Sequence, residues 1–293
     1  MLERAGVWKQ PLWTGSPVRA CRGRWHGYRM RLDTSDYHQR GAYFYGRLLD
    51  VPVQLCMLAA LRPGDTVIDV GANIGMLSML AAHAVGRGGR VISFEPNPDV
   101  YERLLLHLSE NGLTQVQPHR FALGDHNTTL QLKVPATGNT GAGTLGVLPA
   151  RHGGKVGAAY EVPVRLGDEV LQDIPNAPLF IKLDVEGFET AAIRGLGEVI
   201  RRHVPAILLE SNVEMLPATG TSVAELFELL AGMQYEPYAL VVSWRRWGRD
   251  WCLSLRPMPS TWRPVRTQNV LFLNRSGPHR ARLAKLIDST ATG

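Results

Sequence analysis

Seven residues, Asp69-Val70-Gly71-Ala72-Asn73-Ile74-Gly75, carry the strongest chemical signal in the chain. An apolar run enters a tight turn there and a helical pattern leaves it, so the backbone can approach a ligand closely. Gly71 and Gly75 remove side-chain bulk and permit positive φ, and Asn73 is one of the few other residues that tolerate the left-handed region. The helix that follows offers unsatisfied N–H groups and a partial positive charge to an anionic group such as a carboxylate. Taken alone, the run could be an ordinary strand-to-helix turn.

Glu95 narrows the choice. It ends the next apolar run, twenty residues beyond Gly75, where an acidic side chain can accept both hydroxyl protons of an adenosine ribose. A nicotinamide-dependent oxidoreductase uses the same position, but its G-x-G-x-x-G phosphate pattern is absent, because Ala72-Asn73-Ile74 separate Gly71 from Gly75. A turn led by Asp69 suits a cofactor with an amino acid moiety, whose ammonium needs carboxylate or carbonyl acceptors.

The elements that position these residues alternate between strand and helix, the grammar of a parallel α/β sheet. Strands are expected near Val67 to Val70, Arg90 to Glu95, Val116 to Leu123, Leu179 to Asp184 and Ala206 to Glu210. Helices are expected over Gly75 to Val85, from Pro98 to Asn111-Gly112, over Phe188 to Arg201, and around Val223 to Met233. The alternation then stops, and Tyr235 to Ser243 and Val270 to Asn274 read as an antiparallel pair of strands. Leu130 to Val134 and Val162 to Leu166 alternate as two extra strands around a connection with seven glycines from Gly138 to Gly157. Its length and composition favour a functional flap at about 135–159 over a disordered excursion.

With 293 residues the chain has ample length for a buried core, and 45% apolar with 20% charged residues excludes a disordered, collagen-like or coiled-coil protein. Residues 1 to 40 hold eight Lys or Arg against Glu3, Asp33 and Asp36, and so carry +5 of the net charge of +6. Cys21, Cys56 and Cys252 are odd in number and widely spaced, which argues against a zinc or redox pair and for a reducing, cytoplasmic compartment. No run is long and apolar enough for a membrane span, and Trp8, Pro11, Trp13, Gly15 and Pro17 spoil a transit-peptide helix. A packed basic extension over residues 1–44 is expected, followed by one catalytic domain over 45–293.

Five blocks together resemble the FkbM-type methyltransferases: Asp69 to Gly75, Phe94-Glu95-Pro96-Asn97-Pro98, Ala122-Leu123-Gly124-Asp125, Ile181-Lys182-Leu183-Asp184-Val185-Glu186-Gly187-Phe188-Glu189, and Pro205 to Glu210. Their order and spacing match from about Tyr45 to Asn274. The resemblance implies the class I methyltransferase fold, Rossmann-like, with a mainly parallel seven-stranded sheet whose last strand is antiparallel. It also implies S-adenosylmethionine as cofactor, S-adenosylhomocysteine as product, and transfer of the methyl group to a hydroxyl of a small molecule, commonly a sugar or secondary metabolite. Carried over, Asp69, Gly71, Ala72, Asn73 and Gly75 would surround the methionine moiety. Glu95, followed by Pro96 and Asn97, would hold the ribose, and Phe121 and Ala122 would line the adenine. Asp184 would sit beside the sulfonium. Upstream, the family tends to show a tyrosine and a glycine followed by an acid, where this chain reads Tyr43-Phe44-Tyr45-Gly46-Arg47-Leu48.

Asp184 also stands out on its own residues, because ligands of open α/β sheets bind at the carboxyl ends of the strands. Methyl transfer needs the acceptor oxygen held in line and its proton removed, and a carboxylate beside the methyl could do the second task. A helix N-cap and a ligand to the cofactor ammonium are the alternatives for Asp184. Glu186, Glu210 and His203 are further candidates, with Glu186 also fit to cap a helix. Asp184, Glu186 and Glu210 could gather a magnesium ion, but nothing in the spacing requires one and no metal is expected. Trp247, Trp251 and Arg249 fall in a connection rich in Trp and Arg and could form an acceptor wall, since indoles pack on sugar rings and Arg holds carboxylate or phosphate. A hairpin packing its aromatics on the core is the alternative. The basic N-terminus keeps a nucleic-acid methyltransferase in view as a rival, without a base-flipping motif or RNA-binding appendage to support it, and a non-catalytic cofactor-binding protein is a third reading.

Overall fold

The computed structural model describes residues 10–136, 141–148, 155–244 and 251–288. The chain opens with a hairpin of β1 (Val18–Arg22) and β2 (Arg29–Asp33), then α1 (Tyr37–Tyr45) and α2 (Val51–Ala60). There follow β3 (Thr66–Val70), α3 (Met76–Val85), β4 (Arg90–Phe94), α4 (Pro98–Glu110) and β5 (Val116–His119). A second small sheet is built from β6 (Ala122–Gly124), β7 (Thr128–Pro135) and β8 (Val156–Leu166). The remainder comprises α5 (Gly167–Val170), β9 (Leu179–Leu183), α6 (Glu189–Gly195), α7 (Gly197–His203), β10 (Ala206–Ser211) and α8 (Val223–Gly232). It closes with β11 (Tyr235–Trp244), β12 (Trp251–Pro257), β13 (Gln268–Asn274) and α9 (Pro278–Leu283).

The central sheet runs β12-β11-β13-β10-β9-β3-β4-β5. The five strands from β10 to β5 are parallel, and β13 inserts antiparallel between β10 and β11. The seven expected strands are thus present, and an eighth, β12, extends the edge by pairing antiparallel with β11. β12 is part of the Trp- and Arg-rich connection; its Leu255 is fully buried, so the connection contributes a hairpin to the core. The chain leaves β3 toward β4 and β5 and later returns to β9 on the other side of β3. That reversal opens a crevice at the carboxyl ends of β3 and β9.

Alternate side chains of each central strand serve two cores. Val67, Phe180 and Leu208 face α2, α3 and α4, whereas Ile68, Ile181 and Leu209 face α6, α7 and α8. Burial on both faces explains why these strands read as continuous apolar runs. Met30, Leu32 and Ala42 of the N-terminal segment are fully buried in the first core.

Two expected elements are broken in the structure. The run Val116 to Leu123 is two strands: β5 pairs with β4, and after Arg120-Phe121 the chain departs to start the second sheet as β6. Pro118 has no N–H to offer a further neighbour, which suits β5 to the sheet edge it occupies. The helix expected over Phe188 to Arg201 divides at Leu196, between Gly195 and Gly197, residues of low helix propensity. Among the described residues no helix is long and apolar enough to cross a membrane.

Candidate active site

A cavity of about 410 Å³, within the ordinary range for small-ligand sites, lies at the crevice beyond β3 and β9. Its first half is the turn after β3. Gly71 has a φ of 80°, and a Cβ on it would collide with the Asp184 carbonyl oxygen, so only glycine lets the turn cross the end of β9. Gly75 has a φ of 86°, and a Cβ there would strike Leu104 of α4. Asn73, at φ 51°, turns its side-chain oxygen to accept the Ile74 N–H at 2.7 Å.

Glu95 stands opposite, at the tip of β4. Its two oxygens accept the Asn73 N–H and the Asn97 N–H, each at 2.8 Å, which locks the turn to the strand. A carboxylate has about four acceptor sites, so each oxygen keeps one for the cavity. Burial pushes Glu95 up to about 7, against the lowering effect of the two N–H groups. Beside it, Phe94, Ala122, Leu123 and Leu132 form an apolar wall.

The second half is charged. Lys182, 3% exposed in the middle of a buried strand, donates from Nζ to Asp184 Oδ2 at 3.2 Å. Burial alone would lower its pKa, but Asp184 and Asp69 outweigh burial and raise it, so Lys182 stays an ammonium. Carboxylate oxygens of Asp184, Glu186 and Glu210 lie within 4.8 Å of one another. Burial, then the neighbouring Asp184, Glu186 and Glu189, push Glu210 up to about 9. Asp50 joins them from the N-cap of α2; burial raises its pKa, and it accepts a hydrogen bond from Asn269 Nδ2 at 2.5 Å. Glu186, at φ 49°, accepts from Asn212 Nδ2 at 2.9 Å. Glu189, fully buried, accepts the Gly187 N–H at 3.2 Å and so shapes the same turn.

Of the glycine-rich connection, 137–140 and 149–154 lie outside the described residues, and 141–148 border one side of the cavity. Gly141, Ala142, Gly143 and Leu145 line the cavity, and the fully buried Thr144 donates from its hydroxyl to the Glu186 carbonyl at 2.9 Å.

Of the residues expected at the site, Gly71, Ala72, Asn73, Glu95, Pro96, Asn97, Ala122, Asp184 and Glu186 line the cavity. Asp69 does not: it lies behind the turn, fully buried, accepting the Ser78 hydroxyl at 2.6 Å. Gly75 is likewise off the wall and serves the packing of α3 on α4. Phe121 turns away to a ring cluster with Phe94 and His119, 5.4 Å from each. Trp251 is off the wall as well, its ring against the Arg47 guanidinium, while Trp247 and Arg249 lie outside the described residues. Three wall groups, Asp50, Asn212 and Asn269, carry no signal by motif. Lys182 has a signal of another kind, since a lysine between Ile181 and Leu183 in an apolar strand is a buried charge that must find partners.

The strand order, with its reversal at β3 and its antiparallel β13, is that of the class I methyltransferase fold. The Methyltransferase FkbM domain family matches residues 69–237, and the chain belongs to that family. Among curated relatives it is 24% identical over 172 residues to the hexuronic acid methyltransferase AglP of Haloferax volcanii, covering 57% of this chain and 64% of the relative. It is 63% identical over 38 residues to the 31-O-demethyl-FK506 methyltransferase FkbM of Streptomyces tacrolimicus, covering 13% and 14%. A solved FkbM methyltransferase from Methylobacillus flagellatus aligns over 73% of this chain and 47% of its own, at 17% identity and a TM-score of 0.41. The chain thus spans less than two thirds of the length of the curated relatives it matches.

Proposed function

We propose that the protein transfers a methyl group to a hydroxyl oxygen of a sugar, a glycan or a glycosylated metabolite. The observation that carries this is the division of the cavity. One half is fitted to the cofactor, and the other presents carboxylates and amides suited to hydrogen-bonding several hydroxyls. The hexuronic acid acceptor in the name of the Haloferax relative is consistent with a sugar.

In this scheme Glu95 holds the two ribose hydroxyls, Pro96 and Asn97 flank it, and Ala122 packs against the adenine. Gly71, Ala72 and Asn73 surround the methionine moiety. When bound, S-adenosylmethionine supplies an electrophilic methyl on a sulfonium. Asp184 is the base: it is half-exposed at the carboxyl end of β9, and Lys182 fixes its orientation. Glu186 and Asn212 orient the acceptor, and the turn at Thr144 excludes water from the side that it covers. Lys182 already neutralises Asp184, and we infer that the reaction runs without magnesium. We place the reaction in the cytoplasm, in keeping with the free thiols of Cys21, Cys56 and Cys252.

The test is transfer from methyl-tritiated S-adenosylmethionine to a panel of neutral and acidic glycosides, with RNA as the competing substrate. Tritium in an alkali-stable sugar methyl ether is the expected result. Label in RNA alone would replace the sugar with a nucleic acid. Tight S-adenosylhomocysteine binding with no label in any acceptor would favour a non-catalytic role.

A further inference from the structure

Beside the cavity, the chain sets two arginines together that the reaction does not use. Arg47 immediately precedes Leu48, which lines the cavity, and its Nη1 donates to the Leu48 carbonyl at 2.9 Å. Its guanidinium carbon lies 5.2 Å from the ring centroid of Tyr45 and 5.5 Å from that of Trp251. Arg24 is tied to the same turn, its backbone N–H donating to the Gly46 carbonyl at 2.6 Å. Burial, with the charge of Arg24 added to it, holds Arg47 below the usual arginine range. Among the described residues neither guanidinium is in salt-bridge range of a carboxylate, whereas Arg31, Arg194, Arg275, Arg280 and Arg282 are.

Two adjacent cations without a counter-ion among the described residues, one of them against aromatic rings, favour an incoming anion. A guanidinium held by two aromatic contacts is already oriented, so it loses little freedom in making a bidentate bond to a carboxylate, sulfate or phosphate. The other end of the cavity repels such a group, because Asp50, Asp184, Glu186 and Glu210 gather there against one lysine. Arg47 and Asp50 are three residues apart, at most about 10 Å along the chain, a span that a mono- or disaccharide can bridge.

We propose that Arg24 and Arg47, with Tyr45 and Trp251, form an anion subsite for an acidic group borne by the acceptor away from the hydroxyl that is methylated. The subsite deepens the sugar reading and rests on it only for the sugar: the acceptor becomes an acidic one, a uronate or a sulfated or phosphorylated glycoside. Its charge is read at the arginines, its hydroxyl at Asp184, and the opposed charges of the two ends set its direction.

The test uses the full chain saturated with S-adenosylhomocysteine, titrated at constant ionic strength with methyl β-glucuronide, methyl β-glucoside or sodium sulfate. The Nε–Hε signals of Arg24 and Arg47 and the indole N–H of Trp251 report binding. The glucuronide and sulfate are expected to shift all three and to saturate, and the glucoside to leave the arginines unmoved. Arg24→Gln with Arg47→Gln should weaken the glucuronide at least tenfold and leave S-adenosylhomocysteine affinity within twofold. Arg47→Lys should restore part of the loss, which a packing role for Arg47 would not give. No shift with either anion overturns the subsite, and so does equal binding of glucuronide and glucoside in both proteins. A response to sulfate alone upholds the subsite and overturns the sugar instead.

Discussion

The two halves of the cavity are built in opposite ways. In the cofactor half, the polar groups satisfy one another within a short stretch of chain: Glu95 takes the Asn73 and Asn97 N–H groups, and Asn73 caps its own neighbour. In the acceptor half, groups from four distant segments meet: Asp50, Lys182 with Asp184 and Glu186, Glu210 with Asn212, and Asn269. There like charges crowd, and burial lifts Glu210 to about 9. The first half is held by hydrogen bonds whose pattern is local. The second gathers carboxylates whose burial and mutual repulsion favour proton uptake, which suits the base role proposed for Asp184.

The sharpest way to break this division is Asp184→Asn. We expect kcat to fall about 10²- to 10⁴-fold, the usual worth of a positioned base, with S-adenosylhomocysteine affinity by calorimetry changed less than about threefold. Lost cofactor affinity with kcat retained would move Asp184 into the cofactor half.

Glu95 tests the other half. Ribose hydroxyls donate to the ionised carboxylate, so bound cofactor lowers its pKa. Affinity for S-adenosylhomocysteine should therefore rise with pH through about 7 and level off above it. Glu95→Gln should weaken binding about tenfold, the worth of one charge-assisted hydrogen bond, and flatten that pH profile; a profile left intact would remove Glu95 as its source.

A smaller effect concerns stability. Glu210 is raised in the folded chain, so its contribution is complete below its unfolded pKa and is lost as pH rises through about 9. Glu210→Gln should raise the Tm at pH 9 by roughly 2–5 °C and leave it unchanged near pH 4, measured by scanning calorimetry without cofactor. A constant difference at both pH values would mean that packing, not charge, is responsible. The smallest effect expected is none: EDTA should leave methyl transfer unaltered, and a loss restored by magnesium would turn the three carboxylates into a metal site.

The turn after β3 and the place of Glu95 beside it were legible in the sequence because each requirement falls within a few residues. Gly71 and Asn73 need positive φ, and Glu95 follows at the distance one helix and one strand impose. Asp69 and Gly75 were legible as members of the motif but not in their roles, since both face away from the cavity, one to Ser78 and the other to Leu104. Phe121 was misplaced because the break after His119 follows from the edge position of β5, which no local pattern states.

The sequence by itself determined the class of the fold: apolar runs buried on both faces, a glycine turn and an acid at a fixed interval specify a parallel sheet with a crevice at its carboxyl edge. Asp184, Glu186 and Glu210 were also named from the sequence, but only the tertiary structure brought Asp50, Asn212 and Asn269 to them. Asp50 and Asn269 are 219 residues apart, yet they share a hydrogen bond. The same is true of Arg47 and Trp251, also far apart in the chain, whose guanidinium and ring meet. Spacing encodes contacts made along a strand or turn, whereas contacts across a crevice depend on strand order, and strand order is fixed by the summed burial of the whole core.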